Sequence, residues 1–194
     1  MKVSFLPLLL LLTGSASAQV FKPFKVNISM GYAKPLEAAS MGGILLSLEP
    51  KYGLNDRVDL GLRYELGLMN HAYTVDNGSG TSELKGASSF VFTGNYLLSE
   101  SNFRPFVGAG LGVFTVGGVS FSEGDGGVSG GTKLGAMVRA GFKAGHFAFG
   151  AEYNLIPSST GVMTSASSVV QRYKSPNAYL GLKIGFDIGG GAYE

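Results

Sequence analysis

The chain of 194 residues has no cysteine and no tryptophan. Without cysteine it has neither disulfide staples nor thiolate metal sites. Histidine is almost absent as well, with only His71 and His146. Neither stands in a local cluster of metal ligands, so both read as loop or turn residues. Long apolar runs are missing beyond the first residues: no stretch of 18 or more apolar residues follows, which excludes helical membrane spans. Charge is sparse, at 14% of residues, with 15 basic against 13 acidic side chains. That balance gives no footprint for a nucleic-acid partner.

The N-terminus accounts for itself. Lys2 supplies a short positive region, residues 5–12 an apolar one broken by Pro7, and Ala16-Ser17-Ala18 an A-x-A cleavage site. Residues 1–18 read as a secretory signal peptide cut before Gln19. Taking them from 194 leaves 176 residues, the size of one domain, residues 19–194. Export without disulfides points to a bacterial cell envelope.

What is abundant is glycine, at 31 residues, and a period-two alternation of oily and polar positions. Side chains alternate across a β-strand, so such a segment has one apolar and one polar face. Residues 58–68 show it best. Val58, Leu60, Leu62, Tyr64, Leu66 and Leu68 fall on one side, and Asp59, Gly61, Arg63, Glu65 and Gly67 on the other. Similar segments occupy about 24–33, 43–53, 88–98, 104–116, 132–143, 147–156 and 177–188. Val91 and Leu97 interrupt the alternation of the fourth. The connections alternate in length: short after the second, fourth and sixth segments, long after the third, fifth and seventh (69–86, 117–131 and 157–176). The 34–42 connection is intermediate.

Eight strands with short turns at one end and long loops at the other predict an all-β fold, an eight-stranded antiparallel up-and-down transmembrane β-barrel. In lipid only a closed barrel satisfies the backbone groups of strands. Counted from the short-turn ends, Glu49, Arg63, Glu65, Arg139, Glu152 and Lys183 fall at similar depth on the inward face. Three acids and three bases then share one layer of a lumen just wide enough to be filled by side chains. The layer reads as a structural charge network, with a gate as the lesser alternative. Gly108, Gly110 and Gly112 leave a smooth inward stripe, to be covered by large neighbours such as Phe106, Phe114 or Tyr179, or used for curvature. Outward Phe24, Phe142, Phe147 and Phe186 at the short-turn end, with Tyr32 and Phe90 at the other, fit interfacial girdles.

The run Phe103-Arg104-Pro105-Phe106-Val107-Gly108-Ala109-Gly110-Leu111-Gly112-Val113 resembles the R-P-[FY]-V-G-A-G-L-G strand of outer-membrane β-barrel domain proteins. The segment Tyr179-Leu180-Gly181-Leu182-Lys183-Ile184-Gly185-Phe186 is similar to their last strand. The resemblance, over the mature chain, is to small bacterial barrels of the OmpA/OmpX type. It implies an outer-membrane location, outer-membrane lipid and the barrel-assembly machinery as partners, and a monomer. Many such chains end on an aromatic residue; this one runs on past Phe186 to Glu194.

Motifs of enzymes are weak. Gly108-x-Gly110-x-Gly112 lacks the spacing and following helix of a dinucleotide site. The 127–131 segment fits G-x-S-x-G without the strand–turn–helix setting of a nucleophile elbow. Asn27-Ile28-Ser29 and Asn77-Gly78-Ser79 are chance sequons, and the acidic 123–126 segment lacks an EF-hand pattern. No cofactor or metal is expected. The expected role is non-enzymatic: a structural or surface-interaction protein displaying extracellular loops to a partner the sequence does not name. The alternatives are passage of small apolar solutes through a narrow, porin-like barrel, a lipid-modifying enzyme using His71 and a loop serine, and a soluble ligand-binding barrel with the alternation reversed.

Overall fold

In the computed structural model, residues 23–36, 42–75, 78–117, 119–120, 127–128, 131–164 and 170–190 are described. Residues 1–18 lie outside them, as do Asn77, Ser129 and residues 123–126. The described residues form twelve strands: β1 (Phe24–Pro35), β2 (Gly43–Gly53), β3 (Val58–Val75), β4 (Gly78–Leu97), β5 (Phe103–Val116), β6 (Val119–Ser120), β7 (Gly127–Val128), β8 (Gly131–Ala144), β9 (Phe147–Leu155), β10 (Ser159–Thr164), β11 (Val170–Ser175) and β12 (Tyr179–Gly189). No helix occurs among the described residues.

Eight of these strands close on themselves. The order runs β3-β2-β1-β12-β9-β8-β5-β4, and β4 returns to β3. Each contact is antiparallel. The first and last strands meet from Lys25↔Gly189 to Pro35↔Tyr179. A closed ring leaves no edge, so every strand in the wall has a hydrogen-bonded neighbour on both sides.

The alternation sets the radial direction. On β2 the even positions Ile44, Leu46, Leu48 and Tyr52 are exposed, and the odd positions Leu45, Ser47, Glu49 and Lys51 are buried. The same phase runs around the ring, so the interior is polar and the exterior oily. Apart from Lys34, one residue from the long-loop end of β1, no charged side chain of the described wall strands between the rims faces outward. On β3 the outward apolar set spans ten residue steps, about 33 Å along the strand and about 23 Å at a tilt near 45°. That height matches the apolar band of a membrane barrel, about 25 Å.

Aromatic rings collect at the short-turn end of this belt. Phe24, Tyr52, Tyr96, Phe103 and Phe147 are exposed within one residue of their strand ends. Phe103, Phe142 and Phe149 form a chain of ring contacts at 5.3 and 5.1 Å, and Phe147 meets Phe186 at 5.3 Å. The girdle is fuller than the four residues read from sequence, because Tyr52, Tyr96, Phe103 and Phe149 join it.

The long-loop end departs from the expectation of irregular loops. β3 continues to Val75 and β4 starts at Gly78, with a register shift between His71 and Tyr73. Beyond Gly43↔Met69 the strand β3 has no β2 partner, and beyond Ala87↔Val116 β4 has no β5 partner. The two therefore rise past the rim as a ribbon. The Ser/Thr-rich stretch after β9 holds the β10–β11 hairpin, which docks on this ribbon through Tyr173↔Val75 and Lys174↔Thr74. Asn177 ties its base: Nδ2 donates to the Pro157 carbonyl at 2.6 Å and to Ser159 Oγ at 3.0 Å. These strands escape a hydrophobic pattern search because backbone pairing, not burial against lipid, sustains them.

The inward glycines of β5 are covered by their strand neighbours. An added Cβ on Gly108 would meet Asn95 and Arg139, and one on Gly110 would meet Val91 and Met137. At Gly112 it would fall 2.0 Å from the Phe90 carbonyl oxygen. Neighbouring side chains thus cover Gly108 and Gly110, and the β4 backbone approaches Gly112, but the covering side chains differ from those named: Phe114 lies over Gly135 and Phe106 over Gly141.

Candidate functional site

The lumen is the one place where chemistry-bearing side chains converge among the described residues. It has three levels. At the short-turn mouth, Lys25 pairs with Asp59 at 2.6 Å, Lys143 pairs with Asp187, and Asn27 Nδ2 donates to Asp187 at 2.7 Å. Asn27 is therefore turned inward and buried, which removes it as a glycosylation acceptor.

The middle level contains all six residues singled out by sequence: Glu49, Arg63, Glu65, Arg139, Glu152 and Lys183. All are buried, and the structure joins them in one network. Arg139 holds Glu49 through two nitrogens, at 2.6 and 2.9 Å, and reaches Glu152 at 3.3 Å. Arg63 bonds Glu152 and lies 3.7 Å from Glu65. Lys183 bonds Glu65 and also Glu152, the latter at 2.7 Å.

Neutral groups complete the network. Thr93 Oγ1 donates to Glu49 at 2.6 Å, and Asn95 accepts from Arg139 Nε at 2.7 Å. Asn154 accepts from Arg63 at 3.0 Å, and the Tyr179 hydroxyl donates to Glu65 at 2.6 Å. Sequence reasoning did not assign these partners, nor the mouth pairs. The signal was present, since each stands on the inward phase of its strand, but phase does not say which side chains touch.

Above this level the lumen turns apolar. Ala33, Leu45, Met69, Val91, Phe114, Met137, Ile156 and Tyr179 pack as one cluster. Leu45, Val91 and Met137 are 0% exposed, so they close the lumen over the charges. Val91 and Leu97, which break the alternation of β4, belong to the inward set.

Burying an ion costs several kcal/mol after relaxation, and only well-placed partners offset it. Here each middle-level ion has at least two. A midplane Arg or Lys on the outer face would instead cost about 2–4 kcal/mol with no partner in lipid. The arrangement neutralises charge and locks opposite walls together.

The remaining sequence candidates do not assemble. His146 is in the tight turn after β8, its Nδ1 is 2.8 Å from the Asp187 carbonyl oxygen, and its ring stacks on Phe186 at 5.4 Å. The His71 backbone is on the ribbon, paired with Glu83 at the opposite end of the barrel. No cluster of three metal-ligating side chains occurs among the described residues.

No protein-family model matches the chain, and no curated protein matches it in sequence. Solved structures do match. The outer membrane protein OprG from Pseudomonas aeruginosa is 13% identical, over 86% of this chain and 97% of that one, with a TM-score of 0.57. Neisserial surface protein A (NspA) is 18% identical, over 86% and 97%, with a TM-score of 0.52. At these identities the likeness is one of fold. The chain has the fold of the small outer-membrane β-barrels, the OmpA/OmpX type.

Proposed function

We propose that the protein is a non-enzymatic wall protein of a bacterial outer membrane, exported by residues 1–18, with a structural or surface-interaction role exercised at its long-loop end. The observation that carries this reading is the combination of a filled lumen with an uncharged outer belt. The belt suits outer-membrane lipid as its lateral partner. Insertion would go through the barrel-assembly machinery, and a monomer needs no further surface covered. The β3–β4 ribbon and the β10–β11 hairpin supply the material for contact beyond the rim.

Passage of small apolar solutes would require Leu45, Val91 and Met137 to part and the ionic layer beneath them to open. The packing speaks for a closed wall instead. A lipid-modifying activity would need His71 beside a loop serine; an assay of lipid A deacylation, with His71→Ala as control, decides it.

Membrane fractionation combined with heat-modifiable gel mobility tests the main reading. Recovery in the outer-membrane fraction as a folded, heat-shifting band is the expected result. Recovery in the soluble periplasm overturns it. Planar-bilayer recording separates the alternatives: a closed wall shows no steady conductance, and Glu152→Ala shows an increase only if the network is a gate.

A further inference from the structure

Like charges directly opposed across two strands are destabilising, yet the short-turn mouth contains two such pairs. Lys25 is in register with Lys51 across β1 and β2, and Arg104 with Lys143 across β5 and β8. The three lysines point inward and are at most 9% exposed, and Arg104 is half-buried at the rim. Among the described residues, the mouth provides two carboxylates, Asp59 and Asp187, against these four bases. Lys25 takes Asp59, Lys143 takes Asp187, and Arg104 turns its Nε to the Ser101 carbonyl at 2.7 Å.

Lys51 is left to share. It lies 3.4 Å from Glu49, which Arg139 and Thr93 already hold, and 3.9 Å from Asp187, which Lys143 and Asn27 already hold. The middle level, with three acids and three bases, lends no spare negative charge. Among the described residues, a surplus of positive charge therefore faces the mouth.

That surplus borders open space. A cavity of about 40 Å³ is lined by Lys51, Lys143 and Arg139, with Asn27, Ser29 and Asn95 as neutral hydrogen-bonding groups. It is room for a few water-sized groups. Three carboxylates also border it: Asp59 is engaged by Lys25, Glu49 by Arg139, and Glu152 by Arg139 and by Lys183, a fourth base of the lining.

We propose that the short-turn mouth of the barrel binds a small free oxyanion of the phosphate class, gripped by Lys51 and Lys143 and screened by Lys25 and Arg104. Ammonium-to-oxyanion hydrogen bonds are the strong, charge-assisted kind, and the anion would relieve both like-charged pairs at once. The site does not depend on the membrane reading, because the mouth is formed by the barrel itself.

The test is thermal unfolding of the purified protein in an uncharged, phosphate-free detergent, titrated with inorganic phosphate at constant ionic strength set by sodium chloride. The expected result is a rise in Tm that saturates. In the Lys51→Gln/Lys143→Gln variant the apparent phosphate affinity falls about tenfold or more. Lys51→Gln alone, without phosphate, is expected to melt no lower than the unmodified protein. A purely structural lysine gives the reverse: a lower Tm without phosphate and an intact phosphate increment. Should the double variant fail to fold, Arg104→Gln at the half-buried rim replaces it. An absent or unsaturating response of the unmodified protein overturns the proposal, as does a response to micellar phosphatidylglycerol but not to inorganic phosphate.

Discussion

Arg139 and Glu49 stand on opposite walls of the barrel, 90 positions apart in the chain, and meet through two hydrogen bonds of 2.6 and 2.9 Å. β8 and β2 are four strands apart whichever way the eight-membered ring is counted. Arg63 on β3 and Glu152 on β9 are opposed in the same way. The lumen charges thus act as cross-braces: each pair fixes a diameter, and together they fix the shape of the ring.

Removing one brace leaves a buried charge without its partner. Arg139→Met is expected to lower the free energy of unfolding by about 3–5 kcal/mol, the cost typical of a broken buried pair. Urea unfolding in detergent micelles measures it. The Glu49→Gln/Arg139→Met double variant is expected to lose clearly less than the sum of the two single losses, since neither charge is then stranded.

The outer belt is tested at its middle. Leu62→Lys places an ammonium on the lipid face of β3 and is expected to cost about 2–4 kcal/mol in folding into phospholipid bilayers. Arg57→Gln serves as its control. The Arg57–Glu100 pair at 2.6 Å joins two short turns but is exposed on both sides. Exposed pairs contribute little, so the unfolding midpoint stays where it is. Equal, small effects at the two sites would contradict a lipid-facing belt.

Two glycines separate close approach from mere absence of a side chain. Gly112→Ala drives a methyl group into the Phe90 carbonyl, 2.0 Å from its ideal position, and is expected to destabilise by about 1–3 kcal/mol. Gly94→Ala has only Leu60 within reach, at 3.8 Å, and is expected to leave stability unchanged. Thermal melting of the two variants side by side gives the comparison.

Asn177 holds the base of the β10–β11 hairpin rather than the barrel wall. Asn177→Ala takes away the donor to the Pro157 carbonyl, a loss of about 1–3 kcal/mol local to that segment. Limited proteolysis is expected to cut within residues 157–176 earlier than in the unmodified protein, while the heat-modifiable barrel persists. Unchanged cleavage would show that the hairpin is held by its contact with β3 alone.

The wall was legible because one simple rule covers it. Each lipid-facing strand must put oily side chains outward at every second residue, so β2 was readable to its ends, from Gly43 to Gly53. The rule lapses where lipid stops. Past Met69 the residues Asn70 and His71 carry no apolar alternation, yet the strand runs on because β4 offers backbone partners. The same holds for β10 and β11, which pair with each other through their backbones.

The inward phase of Glu49, Arg63, Glu65, Arg139, Glu152 and Lys183 follows from the sequence alone, because the direction of a side chain on a strand is a local property with period two. Their partners do not follow from it. That Glu65 meets Tyr179 and Lys183, and that Lys25 faces Lys51 while Arg104 faces Lys143, depends on the register of strands distant in the chain and on the closing of β4 against β3. Those are properties of the whole ring. Only the tertiary structure decided them, since sliding one strand along its neighbour by two residues preserves every side chain's face and changes every contact across the lumen.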